Sequence, residues 1–166
     1  MPVGLPQWIV LAVAAQRLLE MLYARRNTAR LLAAGGSEAG AGHYPLFILL
    51  HAGWLVALFV AVPAEVGILW PLIGVFAGLQ LGRVWVIASL GRYWTTRIIT
   101  VEGAPLVRRG QFKFLRHPNY AIVTCELAVL PLAFGAWWIA GAVTVLNAAL
   151  LAHRIRIENA ALAERD

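Results

Sequence analysis

Apolar residues fall in long unbroken runs rather than in short alternating stretches, at about residues 5–24, 44–62, 67–90, 119–134 and 137–157. A helix needs roughly 20 residues to cross the hydrocarbon core of a bilayer, so three or four of these runs are long enough alone. The fourth is shorter, and Gly135 stands just before the fifth. These two runs predict a helical hairpin that is tilted or does not fully cross. The pattern as a whole predicts an all-α integral membrane protein of about five transmembrane helices. It reads as one membrane domain, with a three-helix part over 1–90 and a second part over 91–166.

Polar punctuation between the runs refines this picture. Ala33 to Gly42 is Gly-rich and reads as a flexible loop, since such sequence loses much entropy on ordering. Residues 91–117 form the one substantial non-apolar segment, and the alternation over Thr95–Val101, followed by Glu102-Gly103, predicts a strand and turn. Gly74, Gly78 and Gly82 recur at four-residue spacing and predict a smooth helical face for close packing. No dinucleotide-binding or phosphate-loop glycine pattern occurs, so a nucleoside cofactor would not be held in a Rossmann fold.

Composition supports the bilayer as solvent: of 166 residues, 61% are hydrophobic and 13% charged. The net charge of +6 does not form a nucleic-acid surface, because the basic residues lie almost wholly between the apolar runs. Arg25, Arg26 and Arg30 follow the first run. Arg92, Arg97, Arg108, Arg109, Lys113 and Arg116 separate the third from the fourth, and Arg154, Arg156 and Arg165 close the chain. The connections at Pro63–Val66 and Gly135–Ala136 carry no basic residue. This asymmetry predicts an outside N-terminus and a cytoplasmic C-terminus, in a prokaryotic inner membrane, with Trp70, Trp137 and Trp138 in the outer aromatic belt. The first run contains Arg17 and Glu20 and lacks a basic lead and cleavage site, so it reads as a retained helix rather than a signal peptide. A single Cys, Cys125, excludes an internal disulfide or a Cys-based metal cluster and reads as a buried small apolar residue.

Two segments carry candidate chemistry. In Gly110 to Tyr120, Pro118 is suited to the first position of a helix, which places His117 at the helix mouth beside free backbone N–H groups. Such a site suits an anionic group, with His117, Asn119 and Tyr120 offering directional hydrogen bonds, and it is equally readable as an interfacial helix cap. In the second segment Arg154 and Glu158 are four apart on one helical face, the spacing of a surface ion pair. At membrane depth Arg17 with Glu20, and Arg83 with Glu126, read as paired charges that either are structural or line a route for a lipophilic ligand. His43, Tyr44, Pro45 and His51 lack metal-ligand spacing and read as interfacial and helix-packing residues, and His153 lies next to Arg154.

The run from Gly110 to Tyr120, with Phe112 and the Arg-His-Pro-Asn-Tyr core, followed by Arg154-x-x-x-Glu158 at the end of a membrane helix, resembles the isoprenylcysteine carboxyl methyltransferase family. The resemblance covers roughly residues 91–165. It implies that S-adenosylmethionine is held in a cytoplasm-facing pocket contacted by Ala104, Pro105, Leu106, Val107, Phe112, His117, Pro118, Asn119, Tyr120 and Glu158. It implies further that Arg154 serves the methyl acceptor, so that Arg154 and Glu158 are the candidate catalytic pair; no metal is implied. Phe112 replaces a Tyr often found there, and Asn159 follows Glu158 in place of a second acid. The expected partners are membrane lipids and a lipophilic small-molecule or prenylated acceptor, methylated on a carboxylate or on a ring hydroxyl such as that of an alkylpyrone. Methylation of a phospholipid amine, or a non-enzymatic transport or scaffold role, are the rival readings.

Overall fold

The computed structural model describes residues 3–101, 103, 110–113, 115 and 117–163. Five α-helices carry it: α1 (Leu5–Ala33), α2 (Tyr44–Ala61), α3 (Trp70–Leu90), α4 (Pro118–Ala133) and α5 (Trp137–Ala163). Among the described residues, four are long and apolar enough to cross a membrane; α4, with 16 residues, is the shorter one. At 1.5 Å per residue α4 rises about 24 Å, less than the roughly 30 Å hydrocarbon core. Pro131 lies inside its last turn, and Gly135, at φ 69°, reverses the chain into α5. Glycine tolerates that left-handed backbone without steric cost. The chain is therefore an all-α integral membrane protein.

The helices define two ends. At one end Gln7 donates to the Val62 carbonyl at 2.7 Å and the Leu69 amide to the Ala133 carbonyl at 2.9 Å, tying α1, the α2–α3 connection and the α4–α5 turn together. Trp70, Trp137 and Trp138 project from this end, each more than half exposed, as an aromatic belt requires. The opposite end carries a two-stranded antiparallel sheet, β1 (Ser37–Ala39) against β2 (Ile98–Thr100). Of the strand anticipated over 95–101 only Ile98–Thr100 forms, and the glycine-rich segment is not simply a flexible loop. Ser37, Glu38 and Ala39 pair with Thr100, Ile99 and Ile98, Glu38 bridges Arg97 at 2.9 Å, and the Ser37 and Thr100 hydroxyls meet at 2.9 Å. Glycines at either side let the backbone reach a partner strand 60 residues away, and pairing recovers the entropy that an isolated loop would keep.

α1 runs nine residues past its apolar stretch because that extension has tertiary partners. Asn27 is buried and donates to the carbonyls of Gly91 and Trp94. A core of Val10, Val13, Trp54, Leu58, Leu127, Leu130, Ile139 and Val143 joins α1, α2, α4 and α5. Two expectations are corrected. The glycine stripe is not a packing face as a whole: Gly82 meets Ile122 of α4, whereas Gly74 and Gly78 have open space where a Cβ would stand. Cys125 is exposed rather than buried. It sits on the outward face of α4, where hydrocarbon solvates a thiol about as well as a protein interior does.

Inside the bundle both anticipated charge pairs form and merge into one cluster. Arg17 binds Glu20 at 2.9 Å and Glu126 at 2.8 Å, while Arg83 binds Glu20 at 2.7 Å and Glu126 at 3.5 Å. Gln16 and Gln80 fill remaining valences, Gln80 donating to Glu126 at 2.8 Å. Two positive and two negative groups thus cancel while joining α1, α3 and α4. Removing one member strands its partners in a low-dielectric interior. Glu126→Ala is expected to lower stability by about 3–5 kcal/mol, and Arg17→Ala with Glu126→Ala to cost clearly less than the two single losses added. Denaturant unfolding in detergent micelles reads this out; simple additivity would contradict the coupled cluster.

Candidate active site

Local sequence builds the site at the end of the molecule bearing the sheet. Pro118 occupies the first turn of α4, so the helix begins with His117 as its N-cap. The His117 carbonyl accepts from the Tyr120 amide at 3.1 Å, and the Tyr120 side chain extends toward α5. There the two residues four apart, Arg154 and Glu158, share one face and meet it. The Tyr120 hydroxyl donates to Glu158 Oε2 and accepts from Arg154 Nε at 2.8 Å. A carboxylate can only accept and a guanidinium only donate, so the direction of the hydroxyl proton is fixed. The expected surface ion pair is replaced by a three-residue junction in which the phenol stands between the two charges.

Each member is held from outside. Arg154 is 8% exposed, donates through a terminal nitrogen to the Thr96 carbonyl at 2.9 Å, and lies over the rings of Phe47 and Tyr120 at 5.3 and 5.5 Å. Planar guanidinium stacks favourably on aromatic faces when desolvated. Tyr44 braces Thr96 through a 3.0 Å hydroxyl contact. His117 stacks on Tyr120 with ring centroids 5.1 Å apart, and its Nδ1 is 3.7 Å from Glu158. Asn147 of α5 donates to Thr124, which donates to the Tyr120 carbonyl, so α4 and α5 are registered one turn above the junction.

The structure brings together His117, Pro118, Asn119, Tyr120, Arg154 and Glu158 around one cavity of about 520 Å³, within the usual range of small-molecule sites. Phe112 also lines it, from a 3₁₀ turn over Gly110–Lys113, and packs against the cluster of Ala24, Val86 and Trp94. Asn119 faces Arg83 at 3.5 Å, which links the site to the buried charge cluster. Ala104, Pro105, Leu106 and Val107 lie outside the described residues. His153 turns away from the cavity lining to meet His43, ring centroids 5.7 Å apart.

The cavity has a second, apolar arm that the sequence reading did not assign. Tyr44, Phe47, His51 and Leu55 line it from α2 at spacings of three, four and four, with Leu18 and Met21 of α1 on the wall as well, and Arg17, Glu20 and Arg83 of the buried charge cluster also reach the cavity lining. That helical periodicity was present in the second apolar run, but an apolar face toward a cavity has the same signature as one toward lipid. His51, read as a packing residue, does bond its own helix, its Nδ1 lying 2.8 Å from the Phe47 carbonyl, and it lines the cavity as well.

The model of the isoprenylcysteine carboxyl methyltransferase (ICMT) family matches residues 72–164, a span that includes the whole Tyr120, Arg154 and Glu158 junction. The chain belongs to this family. It is also 37% identical to an uncharacterized protein, YpbQ, of Bacillus subtilis (strain 168), over 95% of this chain and 96% of that relative. No solved structure matches. The ICMT family is one of membrane methyltransferases, and this chain is a membrane methyltransferase accordingly. The matched span omits α1 and α2, so in this ICMT-family protein the apolar arm is built largely by helices outside it.

Tyr120→Phe tests the junction. Loss of the hydroxyl leaves a buried guanidinium and a carboxylate each short of a partner, and is expected to cost roughly 1–3 kcal/mol, read as a lowered unfolding midpoint in detergent. An unchanged midpoint would mean that the hydroxyl holds nothing together.

Proposed function

We propose that this membrane methyltransferase is an S-adenosylmethionine-dependent O-methyltransferase whose acceptor is a lipophilic molecule bearing a ring hydroxyl. The observation that carries the reading is the continuity of one cavity from a charged end, at Tyr120, Arg154 and Glu158, to an apolar arm between α1 and α2. A polar donor and a lipid-tailed acceptor require those two environments in contact.

The donor set fits S-adenosylmethionine. Glu158 offers carboxylate oxygens to a hydroxyl or amine, the Asn119 backbone N–H at the start of α4 offers a donor to a carboxylate, and His117 and Phe112 offer rings to a purine. Ala104, Pro105, Leu106 and Val107 complete the set by resemblance. When bound, the cofactor supplies an activated methyl group on a sulfonium. The protein's part is then to align donor and acceptor and to exclude water. In this reading Arg154, which donates to Tyr120 and the Thr96 carbonyl, holds the acceptor oxygen by charge and its remaining N–H groups. The same guanidinium suits a carboxylate, which favours carboxyl methylation as the second reading.

The proposed setting is a prokaryotic inner membrane, with the sheet end in the cytoplasm and the N-terminus outside. Support comes from Arg25, Arg26, Arg30, Arg92, Arg97 and Arg154, which gather at the sheet end, and from Trp70, Trp137 and Trp138 at the other.

Two measurements follow. S-adenosylmethionine and S-adenosylhomocysteine are expected to raise the unfolding temperature of the detergent-purified protein, and His117→Ala and Glu158→Ala to reduce that shift. A folded wild type that shows no shift would overturn the cofactor assignment. In a Cys125→Ala background, Glu65→Cys is expected to react with an impermeant maleimide added outside intact cells and Ser37→Cys only after lysis. The reverse pattern would overturn the topology.

A further inference from the structure

Among the described residues at the charged end of the cavity, Glu158, Arg154 and His117 are each already engaged by a neighbour. Glu158 already accepts the Tyr120 proton, Arg154 is a donor only, and His117 is stacked on Tyr120 with Nδ1 turned to Glu158. Deeper along α2 the situation differs. His51 lies four residues beyond Phe47, so it stands on the same helical face about 6 Å further into the bundle. The Phe47 ring itself packs against the Arg154 guanidinium. His51 therefore lines the cavity one helical turn beyond the group proposed to hold the acceptor oxygen.

Its tautomer is set by its helix. Nδ1 is 2.8 Å from the Phe47 carbonyl oxygen, which only accepts, so Nδ1 carries the proton. In the neutral ring Nε2 is then an unprotonated acceptor. Among the described residues Nε2 has no hydrogen-bond partner, and it is not among the buried unsatisfied atoms. Its charged neighbours are Arg17 and Glu20 of α1 and Arg83 of α3, which are committed to one another in the buried cluster. The cavity lining around it is otherwise apolar: Phe47, Ile48, Ala52 and Leu55.

We propose that His51 is a catalytic base, taking the hydroxyl proton of a weakly acidic lipophilic acceptor on Nε2 through one bridging water that spans the helical turn between it and Arg154. The assignment rests on the O-methyltransferase reading above. In balance, the acceptor O–H bond breaks and its proton passes to Nε2. The oxygen's electron pair forms the new O–CH₃ bond, and the C–S bond of the sulfonium breaks with its pair remaining on sulfur. The proton leaves His51 for solvent after product departs. An acceptor already ionised, such as a carboxylate or an acidic hydroxypyrone, has no proton to give and makes no such demand. His51 thus marks this chain as built for a phenol-like hydroxyl, whose pKa is about 10.

The test uses the full-length protein in detergent with two probes, a long-chain alkylphenol and a long-chain 4-hydroxy-2-pyrone. His51→Ala and His51→Gln are compared with wild type; the glutamine keeps polarity and bulk but cannot take the proton. Folding and cofactor binding are checked by the thermal shift with S-adenosylhomocysteine. A third readout uses a long-chain alkylnitrophenol bound in the presence of S-adenosylhomocysteine, whose visible phenolate band reports the proton directly.

Both variants are expected to keep the thermal shift, to lose on the order of a hundredfold in rate on the alkylphenol, and to change little on the hydroxypyrone. The bound nitrophenol is expected to show its phenolate band in wild type and lose it in both variants. Equal rates of variants and wild type on both probes, or equal losses on both, would overturn the assignment of His51. If His51→Ala fails to fold, His51→Gln decides alone. A wild type that binds S-adenosylhomocysteine but methylates neither probe would overturn the hydroxyl acceptor, and the role of His51 with it.

Discussion

The cost of placing charge at membrane depth governs this structure. Arg17, Glu20, Arg83 and Glu126 come from three helices, and none could be carried into a hydrocarbon core singly without a penalty of several kcal/mol. Together they cancel, share hydrogen bonds with Gln16 and Gln80, and oblige α1, α3 and α4 to sit in one register. No oil-like driving force orders helices within a bilayer, so polar contacts of this kind carry much of the specificity of assembly.

The cavity end of the bundle inherits that register. Arg83 reaches Asn119 in the first turn of α4, and the next residue, Tyr120, spans to Arg154 and Glu158 on α5. A helix start fixed by His117 and Pro118, a helix end bearing charges four apart, and a small sheet that presents the Thr96 carbonyl converge on a few ångströms of space. The sheet belongs to the site as much as to the scaffold. β1 and Glu38 hold the segment carrying Thr96 and Arg97, and Thr96 in turn holds Arg154.

Much of this was legible in the residues. Five apolar runs became five helices whose starts lie within three residues of the runs' starts, because hydrophobicity at this length has one stable solution in lipid. The charge pairs were legible because intramembrane ions must find partners. The Arg-His-Pro-Asn-Tyr core and the Arg154 and Glu158 spacing pointed to the same pocket from two places in the chain. What failed to show were contacts between distant segments. Ser37–Ala39 looked like loop because a three-residue strand has no signature without its partner, and α1 outran its apolar stretch because the Asn27 side-chain amide donates to the carbonyls of Gly91 and Trp94, just past α3. The Gly74 and Gly78 stripe promised a helix contact that composition alone cannot place. His51 looked like packing because its helix neighbours are apolar on every side, and only the cavity distinguishes its face.

The central claim is that one cavity, closed by α4 and α5 around Tyr120, receives the methyl donor. Direct photocrosslinking of radiolabelled S-adenosylmethionine to the detergent-purified protein, followed by peptide mapping, tests it most directly. Label is predicted in the peptides spanning 112–124 and 151–160, and excess S-adenosylhomocysteine is predicted to compete it away. Competed label confined to α1 or to the 62–69 connection, at the opposite end of the bundle, would contradict the account.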